Sequence, residues 1–169
     1  AELHAPDSLV EMRAFCSSLT GAVYRLIGWY DDYARLARDA TYTNETFRAD
    51  VYVTLQEIRP DFTLPEGYSL NEYRRGWRAT RSPDISRYRW LFVDCDPERA
   101  NGMATDRESA QARNLAYDAR DYGLSLGLPS PHLFCSGNGW HVLFPVDLPN
   151  DSDGRQLIQH MVRQFAREM

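Results

Sequence analysis

The sequence predicts an α/β chain whose second half is a small sandwich, with helices covering one face of a largely antiparallel sheet. Three observations carry that expectation. From residue 88 the hydrophobic pattern runs strand, helix, strand, strand, helix. Thr105 and Glu108, three residues apart, form the capping box that opens the first of these helices. "CSGNGWHVLF", residues 135 to 144, sets an Asn-Gly corner between two runs of strand formers, which is a hairpin signal.

Taken in order, residues 7 to 18 put Leu9, Val10, Met12 and Phe15 on a ragged apolar face behind a cap at Asp7 or Ser8, which predicts a short helix. "AVYRLIGWY", 22 to 30, has the β-branched and aromatic content of a strand. Tyr33, Leu36, Ala37 and Ala40 then recur at helical spacing over about 31 to 40. In "DVYVTLQEI", Val51, Val53, Leu55 and Glu57 alternate with Tyr52, Thr54 and Gln56, so 50 to 58 reads as a second strand. Pro60 to Gly67 is a loop, and an arginine-rich stretch follows it. "YRWLFVDCD", 88 to 96, is a strand entering a polar turn at Pro97. The capped helix carries Ala112, Leu115, Ala116, Ala119 and Tyr122 on one face and is expected to end near Gly123. The strands "HLFCS" and "WHVLFPV" come next, then a helix over 154 to 169 with Leu157, Ile158, Met161, Val162 and Phe165 on one stripe. Residues 1–87 are expected to form an N-terminal αβ part and 88–169 a core, together one domain.

Bulk properties narrow the class. A chain of 169 residues, 43% apolar and 12% aromatic, belongs with globular proteins. No apolar run approaches the roughly 18 residues of a membrane span, and "AELHAPDSLV" lacks the regions of a signal peptide, so a cytoplasmic location with no membrane partner is expected. Cys16, Cys95 and Cys135 are odd in number and far apart, which predicts reduced thiols and no zinc site. The net charge of −5 argues against a protein that coats nucleic acid by overall charge. Residues 71 to 89 run the other way: six arginines, among them Arg74, Arg75, Arg78 and Arg81, face only Glu72 and Asp84. Tyr73, Trp77 and Tyr88 lie among them, and guanidinium groups mixed with aromatic faces suit phosphate and base contacts. A solvated connecting loop is the competing reading. The chain has no lysine at all, which is equally explained by genome composition.

Two clusters could carry chemistry. Asp94 and Asp96, two apart at the end of an apolar strand, point to one face while Cys95 points into the packing. Paired carboxylates are hard ligands suited to Mg²⁺ or Mn²⁺. With fifteen aspartates, about one D-x-D arises by chance, and Asp151 with Asp153 is better explained as a helix N-terminus. The second cluster is Ser136, Gly137, Asn138, Gly139 and His141. If Asn138-Gly139 is a two-residue loop, Gly137 pairs with Trp140 and Ser136 lies opposite His141, so a hydroxyl, an imidazole and loop amides converge on an anion, naturally a phosphate. The plain alternative is a hairpin with a solvated serine and a packed histidine. A Ser-His hydrolase is less attractive, because neither a strand-to-helix elbow nor an orienting acid is readable.

Together, "WLFVDCDP", the capped helix and "PSPHLFCSGNGWHVLFPVDLP" resemble the archaeo-eukaryotic primase superfamily, in particular its primase-polymerase branch of plasmid, phage and bacterial proteins. "DVYVTLQEIRP" and "RATRSPDISRYRWLFVDCDP" resemble that branch's approach to its first motif, so the likeness covers about residues 20 to 169. It implies an RRM-like catalytic core with a preceding αβ unit. It further implies Mg²⁺ or Mn²⁺ on Asp94 and Asp96 as catalytic residues with His141, and nucleoside triphosphate held by Ser136, Gly137, Asn138, Gly139 and His141. Template-directed nucleotidyl transfer on a single-stranded DNA template and primer is the expected activity. Arg74, Arg75, Trp77, Arg78 and Arg81 would lie near template or nucleotide on composition alone. The family's third motif, an aspartate on a later strand, has no match before Met169, and Asp147 is no evident substitute. The chain is accordingly expected to be a fragment that is incomplete as a catalyst, with an uncovered sheet edge that the rest of its own chain or replication proteins would cover. A non-catalytic nucleotide- or nucleic-acid-binding module and a metal-dependent initiator nuclease are the alternatives. Sequence leaves open ribo- or deoxynucleotide preference, primer synthesis or extension, and template preference.

Overall fold

A computed structural model describes residues 3–18, 20–97 and 104–169, so most of the polar turn expected after Pro97 lies outside the described residues. It is a mixed α and β structure with antiparallel strand pairs and three helices. The chain divides into two compact units, one running up to Arg87 and the other from Tyr88 to Met169.

In the first unit, β1 (Val10–Ser17), β2 (Val23–Tyr30), β3 (Asp50–Val53) and β5 (Glu72–Arg75) form a sheet in the order β3-β1-β2-β5. The N-terminal segment is therefore a strand and not the helix its ragged pattern predicts. The reason lies in Val10, Met12, Ala14 and Cys16, every second residue, which are all fully buried. Glu11, Arg13 and Phe15 occupy the other face, and the two faces read together blur the period. Helix α1 (Tyr33–Phe47) packs across β1, β2 and β3 and runs well past the expected residue 40. The Asp32 carboxylate caps it by accepting from the Arg35 N–H at 2.9 Å. The Tyr30 hydroxyl donates to Asp39 of α1 at 3.0 Å, which puts the helix on the face of Val10, Tyr30's partner in the ladder. Burial and the Asp39 carboxylate hold the Tyr30 phenol far above its ordinary pKa.

The segment expected as one strand, 50 to 58, is broken into β3 and the two-residue β4 (Glu57–Ile58). β4 pairs with the start of β6 (Ile85–Cys95), Glu57 opposite Arg87 and Ile58 opposite Ile85. Part of the arginine-rich stretch is also strand, since β5 pairs Arg74 with Ile27 and Arg75 with Leu26. Trp29, Ile27 and Ile58 form a second small core under Phe62, Leu64 and Tyr68, covering one end of the sheet face opposite α1. A 3-10 turn at Ser82–Asp84 leads into β6.

In the second unit the sheet order is β6-β8-β7, with β7 (His132–Cys135) antiparallel to β8 (Trp140–Pro149). Helices α2 (Asp106–Ser125) and α3 (Ser152–Glu168) share one core with the sheet: Leu91, Cys95, Ala116, Ala119, Val142, Phe144 and Phe165. The capping box at the start of α2 is formed: Thr105 Oγ1 accepts from the Glu108 N–H, and the Glu108 carboxylate accepts from the Thr105 N–H at 2.8 Å. The helix continues past Gly123 to Ser125. Gly123 is not a terminator but a contact point, because a Cβ there would stand 2.3 Å from the Phe144 ring. Among the described residues no helix is long and apolar enough to cross a membrane.

Candidate functional site

Leu91 and Cys95 of β6 and Val142 and Phe144 of β8 point into the helix-covered core, so their neighbours Phe92, Asp94, Asp96 and His141 occupy the helix-free face. Both aspartates are exposed, while Cys95 between them is buried. Burial, then the Asp94 and Asp96 carboxylates, push the Cys95 thiol up to about 11. The two-residue spacing thus does what the sequence reading asks of it.

The hairpin brings its histidine to the same place. Asp94 Oδ1 and His141 Nε2 are 3.5 Å apart, and the His141 ring lies edge-on to Phe92 with centroids 4.9 Å apart. At the tip, a Cβ on Gly139 would come within 2.4 Å of Asp96 Oδ1 and 2.9 Å of the Cys95 carbonyl oxygen. The glycine lets the loop rest directly on the strand end that carries the carboxylates. Both sequence motifs converge on one surface of one unit.

The register of the hairpin departs from expectation. Cys135 pairs with Trp140 and Phe134 with His141, so the loop is four residues, Ser136 to Gly139, and Ser136 does not lie opposite His141. A two-residue turn of the expected kind needs positive φ at both Asn138 and Gly139. Here the positive φ, +93°, is at Gly137 instead. The Ser136 hydroxyl accepts from the Gly139 N–H at 2.9 Å, and the Ser136 N–H donates to the Gly139 carbonyl at 2.9 Å. Ser136 therefore closes its own loop. The Asn138 carboxamide oxygen accepts from the Ala104 N–H at 3.1 Å, tying the loop to the residue ahead of the α2 cap. The Asn138 N–H has no partner among the described residues.

Two exposed carboxylates on one face are hard oxygen donors that could hold Mg²⁺ or Mn²⁺, with the His141 imidazole beside them as a hydrogen-bonding group. Among the described residues no group of three or more His, Cys, Asp or Glu side chains is gathered for a metal ion. Asp147 is turned to another use, bound to Arg89 at 2.9 Å.

The arginine cluster divides. Arg74 donates to the Gly67 carbonyl and lies over the Tyr68 ring, while Arg75, on the opposite face of β5, lies over Tyr24. Trp77 is stacked by Arg25 of β2, a residue outside the cluster. Arg78 and Arg81 line a separate cavity of about 370 Å³ with Thr63 and Asp84. Composition located the arginines but not their partners, because the strand that separates them, β5, has no clear periodic signal of its own. Phe92, which packs on His141, was likewise missed; its place two residues before Asp94 on the same strand face is the signal that points to it.

No protein-family model, curated protein or solved structure matches the chain.

Proposed function

We propose that the helix-free face of the second unit is a metal-dependent nucleotide site of a template-directed nucleotidyltransferase of the primase-polymerase kind, on an RRM-like core. The observation that carries this reading is the convergence of the two motifs: Asp94 on His141 at 3.5 Å, and Gly139 against Asp96. In this reading Asp94 and Asp96 hold the divalent cation. A bound cation would offset phosphate charge and activate an attacking hydroxyl. His141 donates to a phosphate oxygen, and its position is fixed by its T-shaped contact with the Phe92 ring. The loop supplies the Asn138 N–H, held by Gly137's left-handed backbone and by the Asn138 carboxamide bond to Ala104. Ser136 acts by closing the loop, so its hydroxyl is a positioning group. A non-catalytic nucleotide-binding module is the second reading, favoured by the engagement of Asp147, the acid on β8, with Arg89 at 2.9 Å.

Titrating a fluorescent nucleoside triphosphate into the chain with Mn²⁺ tests the site. Binding is expected to require the metal and to fail in Asp94→Asn/Asp96→Asn. His141→Ala should weaken it by about 10- to 100-fold, the worth of one hydrogen bond to a charged group. Metal-independent binding, or binding indifferent to His141, would sink the proposal. Primer extension lost in the double aspartate variant separates transferase from binding module.

A further inference from the structure

The first unit carries a surface that the nucleotide site does not use. Beyond the end of the β3-β1-β2-β5 sheet covered by Trp29 and its neighbours, the face opposite α1 is open. Tyr52, Phe15, Arg25 and Trp77 lie in a row across it. Tyr52 meets Phe15 edge-on at 5.6 Å, Arg25 lies 6.0 Å from the Phe15 centroid, and on its other side 4.6 Å from Trp77. These rings are wet: Trp77 is 65% exposed, Tyr52 57% and Phe15 37%. Three large aromatic side chains left in water on one sheet face are a standing cost unless something flat covers them.

The charges beside the rings select the partner. Arg25 forms no salt bridge among the described residues and is held by ring faces alone. Arg13, next on the same face, is held at 2.6 Å by Glu11, which is itself buried and also accepts from the Thr80 N–H. The internal carboxylate is thereby consumed, and Arg13, 29% exposed, borders a cavity of about 310 Å³ with Phe15 and Tyr52. Asp50, across from Phe15 on the edge strand, is an exposed acid on this face. An acidic chain has thus gathered guanidinium and exposed rings on one strip. That combination matches alternating bases and phosphates: rings stack on bases of any sequence, and an uncommitted guanidinium meets the backbone. We propose that this strip binds single-stranded nucleic acid, with bases stacked on Trp77, Phe15 and Tyr52 and a phosphate on Arg25. A duplex hides its base faces and cannot use the rings. The inference stands on the first unit alone and does not require the nucleotide site.

Fluorescence anisotropy of the full chain with end-labelled oligo(dT), oligo(U) and a duplex of equal length tests it. The chain should bind single strands more tightly than duplex, and the dT and U arms show whether DNA or RNA is preferred. Trp77→Ala and Phe15→Ala should each weaken binding by roughly 5- to 100-fold. Trp77→Phe should restore most of the loss, which separates stacking from damage to the fold. Arg25→Gln should weaken it and lessen its salt dependence. The Asp94→Asn/Asp96→Asn variant should bind single strands unchanged, and Trp77→Ala should bind nucleoside triphosphate unchanged. Equal affinity for duplex, indifference to Trp77 and Phe15, or concentration-dependent dimerisation abolished by Trp77→Ala would overturn the proposal, the last by assigning the strip to a second copy of the chain.

Discussion

Between two exposed aspartates sits a buried thiol, and the contrast within three consecutive residues has a measurable result. Cys95, with a pKa near 11 against an ordinary 9.0, holds roughly 100-fold less thiolate at pH 8 than a free cysteine. Cys16, also buried, is shifted up by desolvation, whereas Cys135 is exposed. Iodoacetamide at pH 8 should therefore modify Cys135 alone in the folded chain and all three thiols in denaturant; mass spectrometry of the peptides reads this directly. Rapid labelling of Cys95 in the native chain would mean that the Asp94 and Asp96 strand end is not packed as described. The in-and-out alternation of Asp94, Cys95 and Asp96 was legible in the sequence because a strand has period two. The loop at Ser136 was not, since whether Asn-Gly makes two or four residues of turn depends on which residue takes the positive φ, and Gly137 and Gly139 compete for it. Local spacing does not by itself bring Asp94 to His141 either, since that contact depends on β6 and β8 being neighbours.

At the scale of elements, α2 shows which signals survive folding. Its start was legible because a capping box is local: the bonds join residues three apart. Its end falls at Ser125, close to where the sequence puts it, but Gly123 is not the terminator: it answers to a ring on β8 about twenty residues further along the chain. The two ends should respond oppositely to simple substitutions. Thr105→Ala removes the cap and should cost about 1 kcal/mol, lowering Tm by roughly 2–4 °C. Gly123→Ala improves intrinsic helix propensity by about 1 kcal/mol, yet its Cβ would enter the Phe144 ring, and overpacking of this kind costs about 1–3 kcal/mol. A net loss of stability is expected, and a higher Tm in thermal unfolding would show that Phe144 can move aside. β1 was misread for a related reason. One apolar side chain, Phe15, breaks into the Glu11 and Arg13 face and mimics helical spacing with Leu9 and Met12, so the alternation shows only once α1 and the ladder with β2 are in place.

For the whole molecule, net charge and local charge point in opposite directions. The chain is acidic, with an isoelectric point near 5.3, so any hold on a polyanion has to come from a strip and not from the overall field. Single-strand affinity should accordingly fall with salt with a shallow slope, about 0.7 per phosphate neutralised, and Arg25→Gln with Arg13→Gln should lower that slope by no more than about 1.4. A steep slope that survives both substitutions would place the contacts elsewhere. The way Arg25 is held has one more consequence. Its charge is a guanidinium clasped between Phe15 and Trp77, in a sequence without a single lysine. Acetylation, which silences charge by capping a side-chain amine, has no such amine to act on here. An acetyltransferase therefore finds no side-chain target on the strip with which to switch it off.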